Sequence, residues 1–264
     1  MIRPFYNLKT LPFQKDINVS ELYKSSSFKE CSSRLEYVKE NRGFMMLTGA
    51  PGTGKTTALR RFAYSLNTNA YECFYIPLAT VSILDFYRQL CYYLTGEKLS
   101  KKAQLFSCIQ DGIKHRIKNN KKVPVIIFDE VHLLKNENFN ELQIIFNFNF
   151  DSTNPAIVIL SGQSHLRDRI SREILTSFRQ RISVRHHIIT LTKEELIIFI
   201  NHSMENVNCI DSIFNNSAME AIYNVTRGNI RETCNLALKS LYIAAKNKLL
   251  QVTEEEIFQA TKEV

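Results

Sequence analysis

Up to Leu191, short runs of continuous apolar side chains alternate with stretches in which apolar residues recur every three or four positions. The runs Phe44–Leu47, Cys73–Leu78, 123–128, Ala156–Ser161 and Ile188–Leu191 predict five buried strands, with Pro77 suiting the end of its strand. Helical spacing links Phe28, Cys31, Leu35 and Val38, then Ile83, Phe86, Tyr87, Leu90 and Leu94, then Leu105, Ile109, Ile113 and Ile117. Helix-compatible stretches also follow at Ala58 to Leu66 and near Phe139 to Asn149. Strands alternating with helices imply an α/β fold with a parallel five-stranded sheet and ligands at the carboxyl ends of its strands. From Thr192 the pattern is purely helical, with helices near 193–207, 217–226 and 229–247, and capping boxes at Thr192–Glu195 and Thr253–Glu256. The expected organisation is an N-terminal segment and helix over 1–42 packing on the core, a core over 43–191, and a small α-helical lid over 192–264. Ser27-Phe28-Lys29-Glu30 reads as the capping box of the first long helix.

The first strand runs into Gly49-Ala50-Pro51-Gly52-Thr53-Gly54-Lys55-Thr56-Thr57, a G-x-x-x-x-G-K-T phosphate loop between strand and helix. Glycines at 49, 52 and 54 let successive backbone N–H groups turn inward, and the following helix adds its positive N-terminal dipole. Lys55 then reaches the β- and γ-phosphates of ATP, and the Thr56 hydroxyl takes a place on Mg²⁺. The run Val125-Ile126-Ile127-Phe128 ends in Asp129-Glu130, the pattern of a Walker B strand. Asp129 is placed to hold the Mg²⁺ water shell and Glu130 to polarise an attacking water, which implies hydrolysis as well as binding. Ser161 ends the strand expected between the two Walker strands; it is either a turn serine before Gly162 or a group touching the γ-phosphate or the attacking water. The aromatic anchors of residues 1–26 form an irregular segment in reach of the adenine.

Composition narrows the partners. The chain has 264 residues, is 44% hydrophobic and carries a formal charge of +8, enough length for a sizeable core and a basic balance that favours an anionic partner, nucleic acid first. The excess gathers in runs over 98–122 and 165–185, each residue of which is either a solvated helix face or a DNA contact. No apolar run approaches the ~20 residues that span a bilayer, and the start Met-Ile-Arg-Pro-Phe-Tyr has no signal-peptide core, so a cytoplasmic protein is expected. The six cysteines lie far apart, without C-x-x-C spacing, and read as reduced core thiols; no structural metal is expected.

In this order, the phosphate loop, the Asp-Glu strand, the polar-ended strand, the arginine-rich exit and the helical lid resemble an AAA+ ATPase over nearly the whole chain. Phe178-Arg179-Gln180-Arg181-Ile182 resembles that family's arginine-finger region, and Gly228-Asn229-Ile230-Arg231 its sensor 2. The resemblance implies that Arg181 reaches the γ-phosphate of a neighbouring subunit, with Arg179 and Arg185 as rivals, and that Arg231 contacts phosphates within its own subunit. Phe5-Tyr6-Asn7-Leu8 with Pro12-Phe13, Arg34-Leu35-Glu36-Tyr37 and Leu160-Ser161-Gly162-Gln163 are similar to the ExeA-like family. That family includes a secretion-associated ATPase and the ATP-binding partners of transposases, similar in role to MuB, IstB and TnsC. Secretion-type members continue into a membrane segment and a wall-binding domain, and on that ground the transposition branch is preferred for a sequence that stops after its lid. The resemblance implies an ATPase that oligomerises, as a ring or a helical filament, on double-stranded DNA and serves a transposase. A replication-type helicase loader, and a secretion or signalling ATPase without a nucleic-acid role, remain alternatives.

Overall fold

The computed structural model describes residues 2–77, 82–209 and 212–262. In chain order its elements are α1 (Ile2–Phe5), α2 (Ser26–Asn41), β1 (Gly43–Gly49), α3 (Lys55–Ser65), β2 (Tyr71–Pro77), α4 (Ile83–Thr95), α5 (Lys102–Lys118), β3 (Val123–Asp129), α6 (Asn136–Ile145), β4 (Ile157–Gly162), α7 (His165–Ile170), α8 (Thr176–Arg181), β5 (Ile182–Ile188), α9 (Lys193–Glu205), α10 (Asn216–Thr226), α11 (Ile230–Lys246) and α12 (Glu254–Lys262). They fall into two units, one of Met1–Phe28, Pro51–Gly54 and Ile189–Val264, the other of Lys29–Ala50 and Lys55–Ile188. Leu78, the last residue of the expected second strand, lies outside the described residues.

The second unit is an α/β layer built on a five-stranded parallel sheet in the order β2-β3-β4-β1-β5. Every residue of β1 and β4 is buried, and all of β3 but its first. Strands covered on both faces read as continuous apolar runs, which is why their sequence signal is strong. On one face Phe44, Met46, Ile126, Phe128, Val158 and Leu160 join the buried sides of α4, α5, α6, α7 and α8. On the other, α3 lies on β1, and Arg61 of α3 donates to Ser32 Oγ of α2. Helix α4 begins under a Ser82 cap that accepts the Asp85 N–H and ends at Gly96 in the left-handed region, the start and stop chemistry that its spacing calls for.

Three expectations shift in this unit. The closing strand is not 188–191 but Ile182–Ile188, paired to β1 at the sheet edge. Ile182, Val184 and Ile188 are buried while Ser183 and Arg185 are exposed; a half-solvated edge strand alternates rather than running apolar, and Arg185-His186-His187 masks the alternation. The basic run 165–185, expected as a solvated helix face or DNA contacts, forms two short helices around a 3-10 turn at Glu173–Leu175, with Leu166, Ile170, Leu175 and Phe178 all buried. The helix expected near Phe139 to Asn149 is Asn136–Ile145, and beyond it Asn149, Phe150 and Asp151 take positive φ, which no helix continues through.

The first unit is helical. Helices α9 to α12 enclose a second core of Leu196, Ile200, Phe214, Ile222, Ala237 and Leu241, and residues 2–28 belong to it. Ile2 and Leu8 are buried in that core, Phe13 meets Phe199 and Phe214 with ring centroids 6.5 and 6.2 Å apart, and the Tyr6 hydroxyl donates to Leu249 O at 2.9 Å. The N-terminal segment packs among the helices of its own unit, where its aromatic anchors find apolar partners. At the start of α2, Ser25 Oγ rather than Ser27 accepts the Phe28 N–H (3.2 Å), because Ser27 Oγ is taken by the Ile189 N–H. The Thr192–Glu195 box closes reciprocally at α9.

Candidate nucleotide site

Within the second unit the carboxyl ends of β1, β3 and β4 bring chemistry together. Lys55, 7% exposed at the start of α3, donates from Nζ to Gly49 O (2.9 Å) and Ala50 O (3.0 Å). Thr56 is exposed one residue on, and its hydroxyl donates to Asp129 Oδ2 at 3.1 Å. Asp129 is 3% exposed and accepts two further bonds: the Tyr75 hydroxyl on Oδ2 at 2.8 Å and the Glu130 N–H on Oδ1 at 2.9 Å. Burial, then the bond to Asp129 and its charge, raises the Tyr75 phenol well above its ordinary range. A hydroxyl and a carboxylate side by side form a hard oxygen pair suited to Mg²⁺. Ser161 is wholly buried on β4, between the strands bearing Lys55's loop and Asp129, and its Oγ has no hydrogen-bond partner among the described residues. A buried hydroxyl without a partner costs stability unless a ligand or water serves it, so these residues fit a magnesium-bound nucleoside triphosphate.

Within the first unit, Pro51–Gly54 meets the start of α11. Asn229 caps that helix, its Oδ1 accepting the Arg231 and Glu232 N–H groups (3.1 and 3.3 Å), while its Nδ2 donates to Pro51 O at 2.8 Å. The Arg231 N–H also reaches Gly52 O at 3.2 Å. Gly52 holds φ +83°, and a Cβ there would stand 2.4 Å from Asn229 Oδ1 and 2.8 Å from Arg231 Cβ. Thr53 is buried, whereas the Arg231 residue is exposed. The contact of Asn229 with the loop had no sequence signal beyond its place in Gly228-Asn229-Ile230-Arg231.

The three rival arginines differ in their bonding. Arg181, its side chain 11% exposed, pairs with Asp151, and its Nε is buried without a hydrogen-bond partner among the described residues. Arg179 donates to Ser171 O at 3.1 Å, and exposed Arg185 donates to Arg179 O at 2.7 Å. Two further residues, Tyr75 and His132, stand beside the site. Tyr75 binds Asp129 across the β2–β3 pair, a contact no local pattern announces. His132, whose Nδ1 lies 3.2 Å from Glu130 Oε2, was legible as the last letter of Asp-Glu-x-His.

A phosphate loop feeding a helix, a buried strand running into Asp129-Glu130 and a central strand with a buried serine near its carboxyl end, on a parallel sheet of this order, define a P-loop nucleoside triphosphatase. Residues 38–170 match the AAA domain family, and the chain belongs to it; ATPase activity is the general property of that family. Over 248 residues the chain is 27% identical to general secretion pathway protein A of Aeromonas hydrophila, covering 93% of this chain and 45% of that protein. The chain thus spans less than half the length of that relative. Among solved structures, Cdc6p of Pyrobaculum aerophilum superposes with a TM-score of 0.71 at 15% identity, covering 94% of this chain and 71% of the other. Drosophila ORC bound to DNA gives 0.68 at 16%, covering 98% and 64%. The RuvB Holliday junction branch migration motor of Thermotoga maritima gives 0.60 at 18%, covering 98% and 72%. At such identities these structures are alike in fold. Among the described residues no helix is long and apolar enough to cross a membrane.

Proposed function

We propose that this ATPase is an assembly switch: in its ATP state it oligomerises on double-stranded DNA and presents that DNA to a transposase, and hydrolysis loosens the assembly. In this reading Lys55 and the backbone of Gly49–Gly54 hold the phosphates, Thr56 and Asp129 hold Mg²⁺, the latter through water, and Glu130 takes the proton of the attacking water. The metal, when bound, supplies neutralisation of phosphate charge. Ser161 serves the γ-phosphate or that water, Arg231 the phosphates of its own subunit, and Arg181 those of a neighbour.

The observation that carries the DNA reading is the basic surface of the second unit. Part of the charge is used internally: Arg116 pairs with Glu72 and lies over Phe74, Lys102 pairs with Glu141, and Arg169 bonds Asn136 and His132 O. Lys101, Lys118, Lys121, Arg167 and Arg172 remain exposed, which suits contacts to phosphates rather than to base edges. Drosophila ORC, similar in fold, was solved bound to DNA, and that supports the same reading by fold alone. A secretion role is the second reading, favoured by the general secretion pathway relative. Anisotropy of a labelled duplex separates the two. The switch reading expects binding with a non-hydrolysable ATP analogue, weak binding with ADP, a steep fall with salt and little sequence preference; no binding in any nucleotide state moves the function to secretion.

A further inference from the structure

Glu130 occupies the left-handed region (φ 57°, ψ 31°) and opens the 3-10 turn Val131–Leu133. Non-glycine residues avoid that region, and where one persists the surrounding structure holds it there. Here the turn folds the side chain of residue 132 back alongside that of residue 130. His132 Nδ1 comes to rest 3.2 Å from Glu130 Oε2, with the imidazole side chain 8% exposed and the carboxylate side chain 48% exposed. The two atoms are close without the alignment of a hydrogen bond, so Nδ1 is a buried ring nitrogen with no hydrogen-bond partner among the described residues. The imidazole is itself held firmly. Its backbone carbonyl accepts Arg169 Nη1 at 3.1 Å; Arg169 in turn donates from Nε to Asn136 Oδ1 at 2.8 Å and lies over the Phe139 ring. The ring meets His165 edge to face, centroids 5.0 Å apart. A buried imidazole, held by its neighbours, thus stands beside a half-exposed carboxylate.

We propose that His132 is a positioning residue for Glu130, donating its Nδ1–H to one carboxylate oxygen and leaving the other turned toward the attacking water. Burial first, then His165 and Lys55, lower the basicity of the ring against the opposing pull of Glu130 and Asp129, which keeps it neutral with a single N–H to give. Catalytic hydrogen bonds that are poorly aligned without substrate commonly tighten in the reacting complex. The inference rests on Glu130 being the water-activating residue.

The test compares His132→Phe, which keeps a ring against His165, with His132→Asn, whose amide nitrogen takes the place of Nδ1. Both are made in the wild-type and Glu130→Gln backgrounds. A donor to a charged carboxylate is worth roughly 10- to 100-fold in rate. Turnover of His132→Phe should fall by that factor at unchanged KM and unchanged affinity for a fluorescent ATP analogue. His132→Asn should recover most of the loss, and neither change should lower the residual rate of Glu130→Gln. His132→Phe within twofold of wild type overturns the inference, as does His132→Asn falling equally far, or a full further loss on top of Glu130→Gln. If His132→Phe melts early or loses the analogue, His132→Asn against His132→Gln decides, since only Asn keeps its nitrogen at the Nδ1 place; equal turnover of the two overturns the proposal. Wild-type turnover by Glu130→Gln would instead bring down the water-activation reading, and the inference with it.

Discussion

Replacing Gly52 by alanine probes the phosphate loop where the structure leaves least room. The new Cβ would meet Asn229 Oδ1 at 2.4 Å and Arg231 Cβ at 2.8 Å. Asn229 has nowhere to yield, because its two side-chain atoms already cap α11 and hold Pro51 O. Relieving the clash therefore breaks the cap, at about 1 kcal/mol. Holding an alanine at φ +83° adds about 1–2 kcal/mol. Gly54 is the internal control: its φ is +96°, but among the described residues a Cβ there meets only Ile230 Cδ1, at an ordinary 3.6 Å, so Gly54→Ala incurs the backbone cost alone. At roughly 2–4 °C per kcal/mol for a chain of this size, Gly52→Ala should lower Tm by roughly 4–12 °C and Gly54→Ala by roughly 2–8 °C. Calorimetry of the two variants, with a fluorescent ATP analogue titrated into each, reads both effects. Equal Tm values for the two, or wild-type stability and affinity in Gly52→Ala, would refute the packing argument.

Lys55→Ala should abolish or greatly weaken ATP binding, because it removes the cation of the phosphate loop, whereas Glu130→Gln should bind normally and lose turnover. Comparable hydrolysis by Glu130→Gln and wild type would show that another residue activates the water. Arg181→Ala should hydrolyse poorly alone yet recover in part when mixed with Glu130→Gln subunits, since its own Walker residues stay intact for a neighbour's arginine; no recovery from a normally assembling mixture would point to Arg179 or Arg185, or to a site complete in one subunit. Tyr75→Phe removes one of the three donors on Asp129 and should raise the Mg²⁺ concentration for half-maximal turnover several-fold at unchanged maximal rate, which a magnesium titration decides.

The fold class was legible because its strongest signals are local. An apolar strand, a glycine-rich turn, a lysine and a helix follow one another without a gap, and β3 and β4, buried on both faces, advertise themselves as apolar runs. The edge strand β5 lies earlier in the chain than the apolar run 188–191 suggests, because one of its faces is solvated and its polar residues imitate a loop. Contacts between distant parts of the chain carry no local signal: nothing near Phe13 announces that its ring partners are Phe199 and Phe214. In the candidate site, Thr56 and Asp129 carry their own motifs, while Tyr75 is joined to Asp129 only by strand pairing. The pairing of Arg181 with Asp151 depends on a loop of three left-handed residues, Asn149, Phe150 and Asp151, none of them the glycine that marks such turns.

The central claim, that ATP hydrolysis belongs to an assembly built on DNA, is tested most directly by ATP turnover per protomer measured across protein concentration, with and without duplex DNA. Shared sites predict that turnover vanishes on dilution and rises cooperatively with concentration. Duplex DNA should move the rise to lower concentration, and added salt should reverse that shift. Turnover per protomer that stays constant on dilution and is the same with and without DNA would contradict the account.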